Sequence, residues 1–163
     1  LRFEGDLWQR VFNEVGIDFP DIEKEHWLID ALAMQMLKRP EQFQVIVTNN
    51  MFGDIVTDIG AQLQGGLGMA ASGNINPSGV CMFEPVHGSA PKYAGKNVAN
   101  PFGAILTAGL MLEHLGFKHE GTIIEKAVRI AVEQDKTTQD LGGNLGTKET
   151  GEFVLKTIEK LIK

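Results

Sequence analysis

One cysteine, Cys81, stands among 163 residues. A lone thiol excludes an intrachain disulfide framework and a cysteine-rich zinc site, and it fits a reducing compartment. Positive charge is also scarce: 15 Lys and Arg face 21 Asp and Glu, for a net charge of −6. A broad nucleic-acid face needs a basic stripe, so that class is set aside. No apolar run reaches the roughly 18 residues of a membrane-spanning helix, and no charged-then-apolar leader opens the sequence. The expectation is a cytoplasmic protein. An initiator Met is missing as well. The chain opens Leu1-Arg2-Phe3-Glu4-Gly5-Asp6, which reads as the middle of a helix. A fragment of a longer polypeptide is expected, with a trimmed short protein as the alternative.

What is present is globular in character. Apolar residues make up 43% and charged residues 22%, enough to bury one respectable core. Apolar spacing predicts helices over 1–16 (Leu7, Trp8, Val11, Phe12, Val15), 27–38, 54–64, 101–115, 121–134 and 149–162. Short strands are expected at 17–23, with a turn at Pro20, at the β-branched run 43–48, and at 80–83. Alternating strands and helices make the class α/β. Strands are few for so many helices, which suggests sheet partners outside the chain. Residues 65–79 and 135–147 read as irregular, Gly-rich loops.

The segment from Glu84 to Pro101 has the composition of a binding loop. It is broken by Pro and Gly, yet His87, Lys92, Tyr93, Lys96 and Asn100 supply directed polar groups. Two lysines, an imidazole and a carboxamide suit the phosphate, ribose and adenine of a nucleotide. Lys92 and Tyr93 are neighbours, so an extended backbone would send them to opposite sides; a solvated Lys beside a packed Tyr is the alternative. His87 is read as a ligand group over a satisfied loop histidine. Asp140, in Thr138-Gln-Asp140-Leu-Gly-Gly143, either reaches the same ligand or sits in an exposed turn. Gly66-Leu-Gly68-Met-Ala-Ala71 mimics a dinucleotide fingerprint, but that motif needs a strand before it and a helix after it. It is read instead as a tight helix-to-loop connection. Cys81 is expected in the core. Trp8, Trp27 and the Met-rich helix around 31–37 are expected in packing or a subunit interface.

Acids mark a second feature. Asp54 and Asp58 lie four residues apart at the expected start of a helix, so their carboxylates share a face and repel. A hard divalent cation, Mg²⁺ or Mn²⁺, would offset that repulsion. A solvated helix N-terminus, where the dipole favours Asp, is the plainer reading. Asp30 carries the same choice between a helix-terminal acid and a third carboxylate for one metal.

Asn50-Met-Phe-Gly-Asp-Ile-Val-Thr-Asp58, Glu84-Pro-Val-His-Gly-Ser-Ala-Pro91, Val98-Ala-Asn-Pro101 and Asp140-Leu-Gly-Gly143 together resemble the β-decarboxylating, or isocitrate/isopropylmalate, dehydrogenases. The resemblance covers almost the whole chain in order and leans to the isopropylmalate branch of leucine biosynthesis. It implies a three-layer α/β/α fold, incomplete in this chain. Residues 1–65 would belong to a small dimer-forming, metal-binding domain and 66–163 to a large cofactor-binding one. The implied activity is oxidative decarboxylation of a 2-hydroxy acid with NAD or NADP. Isocitrate, homoisocitrate or a non-catalytic regulatory subunit are the alternatives. Asp54 and Asp58 would bind the metal of one subunit and Asp30 would reach the other's site, making a homodimer with shared sites. His87, Gly88, Ser89 and Ala90 would line the adenosine half of the cofactor, Asn100 would meet the adenine, and Asp140 would lie nearby.

Lys92-Tyr93 stands where NAD-using relatives carry Asp-Ile, and so points to NADP acceptance. In the family, a catalytic Lys precedes the position where this chain begins, and a catalytic Tyr and substrate-binding arginines lie earlier still. No catalytic residue is assignable here, and the 163 residues alone are expected to be inactive.

Overall fold

A computed structural model describes residues 2–163, which fall into two compact units, Leu1–Gln42 and Phe43–Lys163. In the first, helix α1 (Arg2–Gly16) follows the apolar spacing read from the sequence. Its end is held by Lys24, whose ammonium donates to the carbonyls of Gly16 (2.8 Å) and Phe19 (2.9 Å), satisfying carbonyls that the last turn leaves open. The strand expected at 17–23 is absent: the segment is a run of turns closed by bonds such as Phe19 N to Gly16 O. Helix α2 (Ile29–Lys38) begins two residues later than the spacing suggested, and a 3₁₀ turn (Pro40–Gln42) follows.

The second unit opens with a further correction. The β-branched run at 43–48 forms no strand, and Val45 is 89% exposed. Strand propensity expresses itself only when a neighbouring ladder takes up the backbone groups, and the sheet of the described residues consists of two other strands. Helix α3 (Asn50–Leu63) starts four residues before the expected position because Asn49 caps it, its side chain accepting from Phe52 N at 3.1 Å. The stretch expected to be irregular contains a 3₁₀ turn (Leu67–Met69) and strand β1 (Ala71–Asn74).

Strand β1 pairs antiparallel with β2 (Met82–Pro85), with Ser72 opposite Glu84 and Gly73 opposite Phe83. Helix α4 (Phe102–His114) packs on this hairpin and on α5 (Lys118–Glu133), which in turn packs on α6 (Thr147–Leu161). Phe102, Ala127, Val128, Ala131 and Val154 form the core, with Met69, Leu106, Leu141 and Phe153 around it. Ala127 and Ala131 are fully buried, so their small side chains bring α5 close to its neighbours. Ile123, Ala127, Val128 and Ala131, at helical spacing along α5, are buried, and Ile124 is half-buried. A hairpin backed by helices is what one side of an incomplete α/β/α fold presents.

Cys81 lies outside that core, half-buried. Its sulfur is 3.3 Å from His114 Nε2 and accepts from Asn76 N at 3.3 Å. Trp8 and Met34 are likewise exposed rather than packed, at 39% and 65%.

Phe102 is completely buried at the start of α4. Phe102→Ala is expected to cost about 3–5 kcal/mol, read as a lower midpoint in chemical denaturation; a loss under 1 kcal/mol would contradict the central place given to this ring.

Candidate functional site

Asp54 and Asp58 share a face of α3 with Thr57, at i, i+3 and i+4. Because α3 begins at Asn50, its first turn carries no acid. The macrodipole acts within the first turn, so it does not account for Asp54. Both carboxylates are exposed. Asp54 accepts from Asn50 Nδ2 at 3.1 Å, and neither acid has an ion pair among the described residues. Asp30, in the first turn of α2, accepts from Ala31 N at 2.8 Å, as a helix-terminal acid does. No cluster of three or more His, Cys, Asp or Glu side chains forms among the described residues. Two uncompensated oxygen donors on one helix face fit a hard divalent cation that draws its other ligands from elsewhere.

The same face borders a cleft of about 300 Å³ lined by Thr57 from α3, Ser72 from β1 and the stretch Glu84–Gly88. His87 is the informative member. Its Nδ1 lies 3.0 Å from the carbonyl of Gly88, so that nitrogen is the donor and Nε2 is left as an acceptor. Nε2 is buried and has no partner, which marks it as an acceptor awaiting a donor. Glu84, Ser72 and Thr57 were not singled out from sequence. The hairpin register sets Ser72 opposite Glu84, and Thr57 reaches the cleft from α3.

Beyond β2 the loop is exposed from Gly88 to Ala99. Ala90 (φ 39°), Gly95 (φ 73°) and Asn97 (φ 56°) are all left-handed, so the chain reverses repeatedly instead of running extended. That bears on Lys92 and Tyr93, whose placement on opposite sides held only for an extended backbone. Pro91–Tyr93 is a 3₁₀ turn, and the Lys92 ammonium lies over the Tyr93 ring, 4.7 Å from its centroid. The two side chains share a side.

The far end of the loop is docked. Asn100 Nδ2 donates to Asp140 Oδ2 at 2.9 Å, and Asn100 Oδ1 accepts from Phe102 N at 2.9 Å. Thr138 donates to the other Asp140 oxygen. Asp140 therefore serves as an anchor, and Asn100 keeps one N–H and one lone pair free. Gly68 makes room for this pair: a Cβ there would lie 2.9 Å from both Asn100 Cβ and Asp140 Oδ2. The close packing expected of Gly66–Ala71 is thereby accounted for.

The protein-family model for isocitrate/isopropylmalate dehydrogenases matches residues 2–154. The chain belongs to that family. It is 45% identical over its full length to a homoisocitrate dehydrogenase of Methanocaldococcus jannaschii. It is 46% identical over 93% of its length to a 3-isopropylmalate dehydrogenase of Streptomyces avermitilis, and covers 46% of each of these relatives. An isocitrate/homoisocitrate dehydrogenase of Thermus thermophilus is 48% identical over 155 residues. Among solved structures, the isocitrate dehydrogenase of Methylococcus capsulatus superposes with a TM-score of 0.86 at 40% identity, covering 94% of this chain and 46% of that one. The fold is therefore that of these dehydrogenases, and the chain spans just under half the length of the relatives it matches.

Among the described residues, Glu149 is the acid with a clear electrostatic signature. A bond donated by Asn97 Nδ2 (2.9 Å), helped by its own backbone N–H, holds its carboxyl below the usual range. A depressed folded-state pKa contributes stability above the unfolded value, lost as pH falls through the folded one. Stability measured from pH 7 downward should therefore fall less steeply in Glu149→Gln than in the parent; identical acid limbs would refute the assignment.

Proposed function

We propose that this chain supplies the cofactor loop and metal-binding acids of an NAD(P)-dependent, β-decarboxylating dehydrogenase. The observation that carries the reading is the shared cleft. Thr57, from the helix that bears Asp54 and Asp58, and His87, at the start of the nucleotide loop, line one space. Hydride transfer needs cofactor and metal-bound substrate side by side, and a cleft bordered by both elements suits it.

Within it, Asp54 and Asp58 would hold Mg²⁺ or Mn²⁺, with Asp30 contributed to the partner subunit's site in a homodimer. A divalent ion bound there supplies Lewis-acid polarisation of the substrate oxygens. His87 Nε2 accepts a hydrogen bond from the cofactor, the small residues Gly88, Ser89 and Ala90 let it approach the backbone, and the free N–H of Asn100 faces the adenine. The acid is proposed to be 3-isopropylmalate, as in leucine biosynthesis. Relatives named for homoisocitrate and for isocitrate/homoisocitrate match about as well, which keeps those acids as the second reading. The presence of all three metal acids speaks against a non-catalytic subunit. A division near residue 65 between a dimer-forming part and a cofactor-binding part belongs to the same proposal, as does a cytoplasmic setting. No helix among the described residues is long and apolar enough to cross a membrane.

Metal and nucleotide binding are the direct tests. Mn²⁺ should bind the protein, and Asp54→Asn or Asp58→Asn should weaken it by about tenfold or more; unchanged Mn²⁺ affinity in both variants refutes the metal assignment. NADPH should bind at least as tightly as NADH, with Lys92→Ala removing about tenfold from NADPH alone. A strong preference for NADH would sink the role given to Lys92 and Tyr93. Turnover is expected only when the chain is joined to the complementary half of a relative, and assays of that fusion with each acid test the activity itself.

A further inference from the structure

Helix α6 is capped partly from within, because the Glu149 carboxylate accepts from the backbone N–H groups of Gly146 and Glu149. Its N-cap position is Gly146, which has no side chain to offer, yet the first-turn N–H groups of a helix need acceptors. They find a further one 51 residues away in sequence. Asn97 Oδ1 accepts from Lys148 N at 2.9 Å, the bond a capping side chain normally makes, and the Asn97 carbonyl accepts from Thr147 N at 3.1 Å. Asn97 Nδ2 completes the exchange by donating to Glu149 Oε2 at 2.9 Å, and Thr147 Oγ1 donates to the carbonyl of Ala99. Asn97 reaches this geometry in the left-handed region (φ 56°), which Asn tolerates better than most residues. Gly146 is part of the fit, because a Cβ there would collide with Asn97 Nδ2.

We infer that Asn97 is a positioning residue for the nucleotide loop, capping α6 from a distance and so fixing the backbone that leads into Asn100. The inference rests on the nucleotide reading of residues 84–101. Asn97 need not touch the ligand. Its carboxamide ties the loop to the helix end, so that Val98 and Asn100 are in place before a nucleotide arrives. Asn97 and Val98 also border a second cleft, of about 390 Å³, with Gln139 and Asn144 opposite. Without the cap, a loop exposed from Gly88 to Ala99 would have to be ordered at the moment of binding, which weakens affinity.

The test combines calorimetric titration of the protein with NADPH and NADH with hydrogen exchange of the loop amides, on Asn97→Ala, Asn97→Asp and the double variant Asn97→Asp/Glu149→Gln. Asn97→Ala should weaken nucleotide binding by about fivefold to tenfold and raise exchange across 94–100, while α4 and α5 stay protected. Asn97→Asp alone sets two carboxylates against each other and should also bind weakly. In the double variant donor and acceptor change places, and most of the affinity should return. Unchanged affinity in Asn97→Ala overturns the proposal. So does a loss accompanied by rising exchange through α4 and α5, the mark of general loosening, or a double variant no better than Asn97→Asp. If the unsubstituted protein binds neither nucleotide, the nucleotide reading falls and takes the inference with it, a result recognisable because no substitution is needed to see it.

Discussion

The contact between Asn100 and Asp140, 40 residues apart in sequence, is the constraint on which the proposed cofactor loop and the core behind it depend. One carboxamide performs two tasks at once. Its nitrogen joins the loop to the 3₁₀ turn at Gln139–Leu141, and its oxygen takes the free N–H of Phe102, so that α4 starts directly where the loop ends. Phe102 is then carried into the core between α5 and α6. Loop, helix and core are coupled through a single side chain, and removing it would leave both a backbone donor and a carboxylate oxygen unpartnered. Water can take the exposed carboxylate, but leaving the partly buried Phe102 N–H unpaired costs more than its bond contributes.

A different logic governs α3. The acids at Asp54 and Asp58 gain nothing from the helix dipole and nothing from ion pairs. Like charges four residues apart on a helix are mildly destabilising. Stability alone gives no reason to place them there, whereas the site gives one. On α2 the balance differs, since Asp30 sits in the first turn and accepts a backbone N–H. The two helices look alike in sequence, and only the position of the helix start separates them.

That comparison shows how far the residues could be read in advance. Helix periodicity was legible because it is local: α1, α5 and α6 fall where their apolar spacing puts them. Strands were not, because a strand is defined by its partner. The β-branched run 43–48 forms no strand, whereas Ala71–Asn74, with poor strand propensity, is a strand because Met82–Pro85 lies beside it. Among candidate site residues, His87 stood out by its Gly-Ser-Ala-Pro setting, but Ser72 joins it through the hairpin register and Thr57 through the packing of α3. Asn97 carried no local signal, since its meaning lies in a helix end 51 residues on. The relative placement of Lys92 and Tyr93 could not be decided in advance, because it depends on the left-handed residues that curl the chain.

The same curl separates two duties within the loop. Its ends are held by groups outside it: Val86 N donates to the carbonyl of Ala70, and Asn97 and Asn100 are tied to α6 and Asp140. Its middle is joined mainly to itself, through bonds such as Tyr93 N to Ala90 O and Lys96 N to Tyr93 O. On the proposed nucleotide reading, affinity that depends on preorganisation would belong to the ends, and discrimination between ligands to the middle. There the Lys92 ammonium rests on the Tyr93 ring, a contact worth about 0.5–1 kcal/mol at an exposed site. A charge-assisted bond to a phosphate is stronger than that. An ammonium parked on an aromatic face keeps its charge in place while giving up little to leave, so a ligand carrying an extra phosphate would find the cation already on the side of the loop where the tyrosine lies.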